Sequence, residues 1–184
     1  MFAKLKMHLL RRFSESARLE YLKSQGMKVG KDTYIYSCKN FDGGWPWLIE
    51  IGDRVTVSTN VTILGHDAST NVVGCGTKLG KVKIGNNVFI GTGAIILCGT
   101  RIGNDVVIGA GSVVSGNIES NGVYAGCPAK RICSIEEYRD KFRAQLAERP
   151  RFDHIHRWDG WKDSTPEERE AMSKALEDGV GFVG

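Results

Sequence analysis

The sequence predicts an all-β solenoid, in which short parallel strands wind into a three-sided coil with helices at both ends. Three observations predict it. Aliphatic residues recur every six positions at Ile84, Ile90, Ile96, Ile102, Ile108 and Val114, and with the same spacing earlier at Ile51, Val57 and Ile63. Glycine follows the aliphatic at a fixed phase, at Gly85, Gly91, Gly103 and Gly109. Four places after each aliphatic comes a residue that is mostly small or β-branched: Val88, Ala94, Thr100, Val106, Ser112 and Ile118, with Val55 and Val61 before them.

An amphipathic helix would space its apolar residues at 3.6, and a sandwich strand would alternate and then turn. A strict six with glycine in phase fits short flat strands joined by tight corners. One large aliphatic per side points to a central axis, the small residue fills the corner, and glycine relieves crowding where the chain bends. Three sides close a coil of about 18 residues, and coils stack at about 4.8 Å. A weaker trace begins at Val29-Gly30 and Ile35, so the repeat runs from about residue 29 to 131, on the order of five coils.

The ends follow other rules. Phe2, Leu5, Leu9, Phe13 and Ala17 fall on one helical stripe, with Gly26 placed as a stop. Ser134-Ile135-Glu136-Glu137 reads as a capping box that opens a helix ending before Pro150. Thr165-Pro166-Glu167-Glu168 opens another, supported by Glu170 and Lys174 and stopped by Gly179. Such helices can cap the unpaired strand edges of a solenoid. The expected organisation is an N-terminal helical segment over 1–28, a coil over 29–133 and a C-terminal helical extension over 134–184.

Composition narrows the function. A chain of 184 residues, 41% hydrophobic and 25% charged, suits one globular domain. The net charge of +4 matches the excess carried by Met1–Ser24, where six basic side chains face Glu15 and Glu20, so the remainder is near neutral and offers no broad nucleic-acid surface. No run reaches the roughly 18 apolar residues of a membrane span, and the start lacks a signal-peptide h-region. The basic N-terminal helix could touch an anionic membrane surface, but packing against the first coil is the expectation. Five cysteines with no CxxC pair read as reduced, small packing residues of a cytoplasmic protein.

The repeat breaks once. From Ile63 to Ile84 is 21 residues where the frame allows six, and the excess of fifteen forms a loop, approximately Asp67 to Lys81, rich in Gly, Ser, Thr and Asn. A packed coil has no room for it, so it projects. His66 stands at the corner where the loop leaves. A second irregular segment, Asn40–Glu50, carries Trp45 and Trp47, and a hydrophobic plug is favoured over an aromatic platform for a sugar ring.

The stretches "ILGHDAST", "KVKIGNNVFIGTGAIIL", "IGNDVVIGAGSVVSGNI" and "VYAGCPAKRI" resemble those of the hexapeptide-repeat acyltransferases, in the branch holding galactoside, maltose and polysaccharide O-acetyltransferases. The resemblance covers roughly residues 29–133. It implies a left-handed parallel β-helix, an exception to the usual crossover hand. It also implies a homotrimer with active sites between subunits and acetyl-CoA as co-substrate. The histidine matching His66 is the general base of that family. Neutral imidazole can take a proton from an acceptor hydroxyl near pH 7 and return one to the leaving thiolate, while backbone N–H groups stabilise the oxyanion. The resemblance places Thr92, Ala110 and Ser115 along the pantetheine arm and Lys130, with Arg131, at the phosphates. Two positions depart from it: Gly116 where many relatives have a basic residue, and Phe89 where many have tryptophan.

Asp67, Asn60, Asn86, Asn87 and Phe89 are candidates for the acceptor side, Asp67 also as a carboxylate that orients His66. Simple turn roles compete for the asparagines. His154 and His156 stand at i,i+2 without further ligands at useful spacing, so no metal site is expected. The expected reaction is acetyl transfer from acetyl-CoA to a hydroxyl of a sugar or glycan intermediate. Alternatives on the same site are transfer to an amine of an amino or nucleotide sugar, or to a xenobiotic, and an inactive trimeric scaffold. A zinc carbonic anhydrase on this fold would need three converging histidines, and the repeat holds only His66.

Overall fold

The computed structural model describes residues 14–153, 162 and 164–183. It divides into two compact units, one reaching to Ile135 and the other starting at Glu136. In the first, α1 (Glu15–Ser24) is capped by Ser14, whose hydroxyl accepts from the N–H of Ala17. Gly26 ends it with a φ of 99°, which glycine adopts without a Cβ penalty. Leu22 is fully buried in the core, with Leu19 and Tyr21 packed against it. Of the expected stripe, Ala17 lies in α1, and Phe2, Leu5, Leu9 and Phe13 fall outside the described residues.

Three parallel sheets follow. Sheet A orders β1 (Lys28–Val29), β3 (Ile49–Ile51), β8 (Val82–Ile84), β11 (Arg101–Ile102) and β14 (Asn117–Ile118). Sheet B orders β2 (Tyr34–Ile35), β4 (Thr56–Val57), β9 (Val88–Ile90), β12 (Val106–Ile108) and β15 (Gly122–Gly126). Sheet C holds β5 (Thr62–Ile63), β10 (Ile95–Ile96) and β13 (Val113–Val114). The chain visits A, B and C in turn and returns one strand higher. That is a three-sided coil with five rungs in sheet A.

Register bears out the six-residue frame. Ile84 pairs with Ile102, Ile90 with Ile108 and Ile96 with Val114, each eighteen residues on. The weaker trace is a true first coil: Val29 pairs with Ile51 and Ile35 with Val57, while Phe41 bridges to Ile63 and supplies its third side. All nine aliphatics of the frame are buried, and so are the small residues four places on, Val55, Val61, Val88, Ala94, Thr100, Val106 and Ser112. Ile118 differs from expectation. It pairs with Ile102 and so takes the large aliphatic place rather than the corner. The turn from β13 to β14 closes two residues early, with Gly116 at a φ of 71°.

At the corner between sheets A and B the coils are stitched by side chains. The N–H of Lys31 donates to Asp53 Oδ1 (2.8 Å), that of Asp53 to Asn86 Oδ1 (2.8 Å), that of Asn86 to Asn104 Oδ1 (2.7 Å) and that of Asn104 to Ser120 Oγ (2.9 Å). Glycine is required beside this ladder because the coils nearly touch: a Cβ on Gly85 would lie 2.6 Å from the carbonyl oxygen of Gly103. At the far end, β16 (Ala129–Ser134) folds back antiparallel on β15 and covers the last edge of sheet B.

α2 (Ile135–Glu148) starts on the last residue of the first unit and ends ahead of Pro150, and the second unit holds the rest of it with α3 (Pro166–Ala175), which opens on the Thr165/Glu168 capping box. Turns replace the last residues of α3, which ends short of Gly179. Phe152 donates to the carbonyl of Phe182, and Phe182 to that of Pro150, both at 2.9 Å.

All five cysteines are free. Burial, reinforced by the Glu15 carboxylate, pushes the Cys38 thiol up to about 11. The expected packing role suits Cys38, whereas Cys75 and Cys127 are exposed.

Gly85→Ala should lower stability by about 1–3 kcal/mol, because backbone of the next coil must move. Gly93 has open space around a would-be Cβ and only its φ of 72° opposes substitution, so Gly93→Ala should cost about 1–2 kcal/mol. Urea midpoints of the two variants measure the difference.

Candidate active site

Two segments leave the repeat, and both do so between sheet C and sheet A. The first runs from Phe41 to Leu48, the second from His66 to Lys81. Asp42 follows Phe41 directly, and its N–H donates to the carbonyl of Ile63 (2.8 Å), so this first excursion is pinned beside β5. One coil on, β5 continues through Leu64 and buried Gly65 to β6 (His66–Asp67), which pairs antiparallel with β7 (Lys78–Leu79). The projecting loop is therefore a hairpin. A 3-10 turn at Ser69–Val73 begins its far part, and Val72 and Val73 are exposed at its tip.

Gly65 lets the two excursions meet. A Cβ there would come 3.2 Å from Asp42 Oδ2 and 3.5 Å from the Cβ atoms of Leu48 and Trp45. Without one, the Gly65 N–H donates to Asp42 Oδ2 at 2.9 Å. The same oxygen lies 2.5 Å from Nδ1 of His66. Asp42 Oδ1 accepts from the N–H groups of Gly44 (2.9 Å) and Trp45 (3.3 Å). The Asp42 side chain is 2% exposed and that of His66 40%. Burial works to raise the Asp42 carboxyl, but hydrogen bonds from His66, Gly44 and Gly65 together outweigh it and hold the group below its ordinary value.

His66 opens onto a pocket of about 430 Å³, lined also by Leu64, Asp67, Lys78, Cys98 and Ser115. Asp67 does not reach the imidazole. It accepts from the N–H of Ser69 and pairs with Lys78 Nζ, both at 2.9 Å. Hydrogen bonds from Ser69 and Lys78 hold its carboxyl far below the usual range. The carboxylate that meets the His66 ring is Asp42, not Asp67. The legible signal for it was an aspartate directly before Gly43-Gly44, where a side chain can accept from backbone N–H groups two and three residues on. Lys78 and Cys98 were also missed, because the hairpin and the coil stacking bring them in.

The other expected residues scatter over the chain. Ser115 shares the pocket with His66. Thr92 and Ala110 stack on each other at the opposite corner of sheet C, where the N–H of Gly111 donates to the carbonyl of Thr92 (2.9 Å). Lys130 and Arg131 are exposed on β16, opposite Ala125 and Tyr124, and Arg131 Nη2 donates to the carbonyl of Asn121 (3.3 Å). Asn60 is a corner residue with a φ of 57°, and Asn87 shares that conformation and bonds Asp105. Asn86 is a rung of the inter-coil ladder. Phe89 sits mid-strand in β9, 44% exposed, between Thr56 and Val107. Thus, of Asn60, Asn86, Asp67 and Phe89, only Asp67 lies with His66, since the others point from different corners or faces.

Trp45 and Trp47 meet edge to face at 5.5 Å, with Pro46 buried and Trp47 half-exposed against Gly26. His154 and His156 lie outside the described residues. Among the described residues no group of three His, Cys, Asp or Glu side chains is arranged to hold a metal.

The family of bacterial transferase hexapeptide (six repeats) proteins matches residues 81–116. Protein CapG of Staphylococcus aureus is 41% identical over 125 residues, which are 65% of this chain and 73% of that protein. Among solved structures, a galactoside acetyltransferase in complex with coenzyme A is similar at 28% identity and a TM-score of 0.53, over 76% of this chain and 82% of that one. A maltose O-acetyltransferase from Clostridium difficile 630 is similar at 29% identity and a TM-score of 0.53, over 73% of this chain and 84% of that one. With the coil, the frame and these relatives together, this chain belongs to the hexapeptide-repeat acetyltransferase family and is an acyltransferase.

Proposed function

We propose that this chain transfers an acetyl group from acetyl-CoA to a hydroxyl of a sugar or glycan intermediate, with His66 as general base. The observation that carries this reading is the 2.5 Å pairing of His66 Nδ1 with a buried, ionised Asp42 at the wall of an open pocket. An ionised carboxylate only accepts, so Nδ1 holds the proton and Nε2 presents its lone pair. Nε2 removes the proton of the acceptor hydroxyl as its oxygen attacks the thioester carbonyl. The tetrahedral intermediate collapses, the C–S bond breaks, and the imidazolium returns its proton to the coenzyme A thiolate. Asp42 holds the ring in that tautomer and faces the positive charge while it lasts.

The donor side fits a groove shared by copies of the chain. Ser115 flanks one corner of sheet C while Thr92 and Ala110 flank the other, so one extended donor is served by all three only where the corner of one copy faces that of the next. A homotrimer of left-handed coils is the assembly proposed, with Lys130 and Arg131 near the donor phosphates. Gly116, in a left-handed conformation with nothing near a would-be Cβ, adds no charge there. A cytoplasmic reaction is part of the same proposal, and no helix among the described residues is long and apolar enough to cross a membrane.

The test is coenzyme A thiol release from acetyl-CoA over a panel of sugars, amino sugars and glycan fragments. His66→Ala should lower acceptor-dependent release by about 10²–10⁴. Equal release from both proteins removes His66 from the chemistry, and a response confined to amines moves the reaction to N-acetylation. Asp42 has its own signature. Its folded value lies below the unfolded one, so its contribution to stability is present above about pH 4 and is lost as pH falls through the folded value. The parent Tm should therefore drop more steeply between pH 5 and pH 3 than that of Asp42→Asn.

A further inference from the structure

Asp42 is held by more than its own hydrogen bonds. Immediately before it the chain makes a turn, in which the N–H of Phe41 donates to the carbonyl of Cys38 (3.1 Å). Helix α1 grips that turn from both polarities. Arg18 donates through Nε to the carbonyl of Cys38 (2.9 Å) and through Nη2 to the carbonyl of Phe41 (3.0 Å). Glu15, one helical turn earlier on the same face, accepts from the N–H of Cys38 (2.9 Å) and the hydroxyl of Ser37 (3.1 Å). Burial opposes the Glu15 charge, but these donors, with Lys39, overcome it and hold the carboxyl below its ordinary value.

The Phe41 carbonyl and the Asp42 N–H belong to one peptide plane. Arg18 holds its oxygen and Ile63 accepts from its N–H (2.8 Å). With both edges held, the plane resists rotation and fixes where the Asp42 side chain starts, and the carboxylate's own hydrogen bonds then hold its rotamer. Arg18 spans both ends of the turn because its donors form a rigid planar fork, which a lysine ammonium cannot reproduce.

We infer that Arg18 is a positioning residue of the active site: by clamping the carbonyls of Cys38 and Phe41 it fixes Asp42, and through Asp42 the ring of His66. The inference rests on the reading of His66 as the base. It assigns to α1 a part in the reaction, although no residue of that helix lines the pocket.

The test compares Arg18→Met, Arg18→Lys, Asp42→Asn and the Arg18→Met/Asp42→Asn double variant in the full chain, with Lys23→Met as a control on the same helix. Two readouts are taken. The first is the ¹⁵N spectrum of the His66 ring, which needs no acceptor and distinguishes a proton on Nδ1 from one on Nε2. The parent and Lys23→Met should show the Nδ1–H form, and Arg18→Met a mixture, as Asp42→Asn does. The second is steady-state kinetics. Arg18→Met should lower kcat by about ten- to a hundredfold, leave KM for acetyl-CoA within about twofold, and add almost nothing to the loss in Asp42→Asn. Arg18→Lys, which keeps the charge and the helix, should fall between parent and Arg18→Met. A parent-like tautomer in both Arg18 variants, or losses that multiply in the double variant, would overturn the inference while leaving His66 as base. Full activity in His66→Ala would overturn both together.

Discussion

The close parallel stacking of successive coils is the constraint on which the rest of this molecule depends. Each coil lies so near the next that no Cβ fits at Gly52, Gly85 or Gly103, where it would meet backbone or the ladder side chain of the coil above within 2.8 Å. Parallel pairing in register then stacks aliphatic on aliphatic, Ile51 on Ile84 on Ile102, into a continuous buried column. The corner ladder through Asp53, Asn86 and Asn104 satisfies N–H groups that the strands cannot reach. Burial, hydrogen bonding and glycine placement thus follow from one spacing.

That spacing also decides where a site can be. A coil of fixed girth tolerates excess chain only at a corner, where it can leave without breaking a sheet ladder. Both departures use the corner between sheets C and A, one coil apart, and so face each other. Gly65, where a Cβ would crowd the Asp42 carboxylate at 3.2 Å, lets a backbone N–H and an imidazole converge on one buried carboxylate. Asp42 keeps its charge there because three backbone N–H groups and the imidazole replace the water it has lost.

The cationic and acidic side chains around the pocket divide by partner. Asp67 and Lys78 neutralise one another at the hairpin base and stabilise the loop's exit. Among the described residues, the side chain that meets Asp42 is the His66 imidazole. Asp67 is held by a lysine and a backbone N–H, whereas Asp42 is held by backbone N–H groups and the imidazole. That difference in partners, rather than nearness in sequence, separates the carboxylate beside His66 from its neighbour Asp67.

Periodicity in the sequence determined the coil, because a six-residue beat of Ile and Val with phased glycine has only one economical packing. Phe41 escaped that pattern by being aromatic, and Ile118 by following a shortened turn, yet both occupy places that the stacking demands. The break at His66 was visible for the same reason, since fifteen extra residues cannot hide in a fixed frame. What only tertiary structure decided is which distant residue meets His66. Asp42 lies 24 positions away, and the turn that carries it is held by Arg18 from a helix outside the repeat. Adjacency across coils is a property of stacking, not of local spacing, and no reading of a single coil contains it. The same holds for Asn86, whose sequence context suggests a free turn residue but whose side chain is spent on the coil below. Local pattern sets which residues face inward. Contact between coils sets which of them work together.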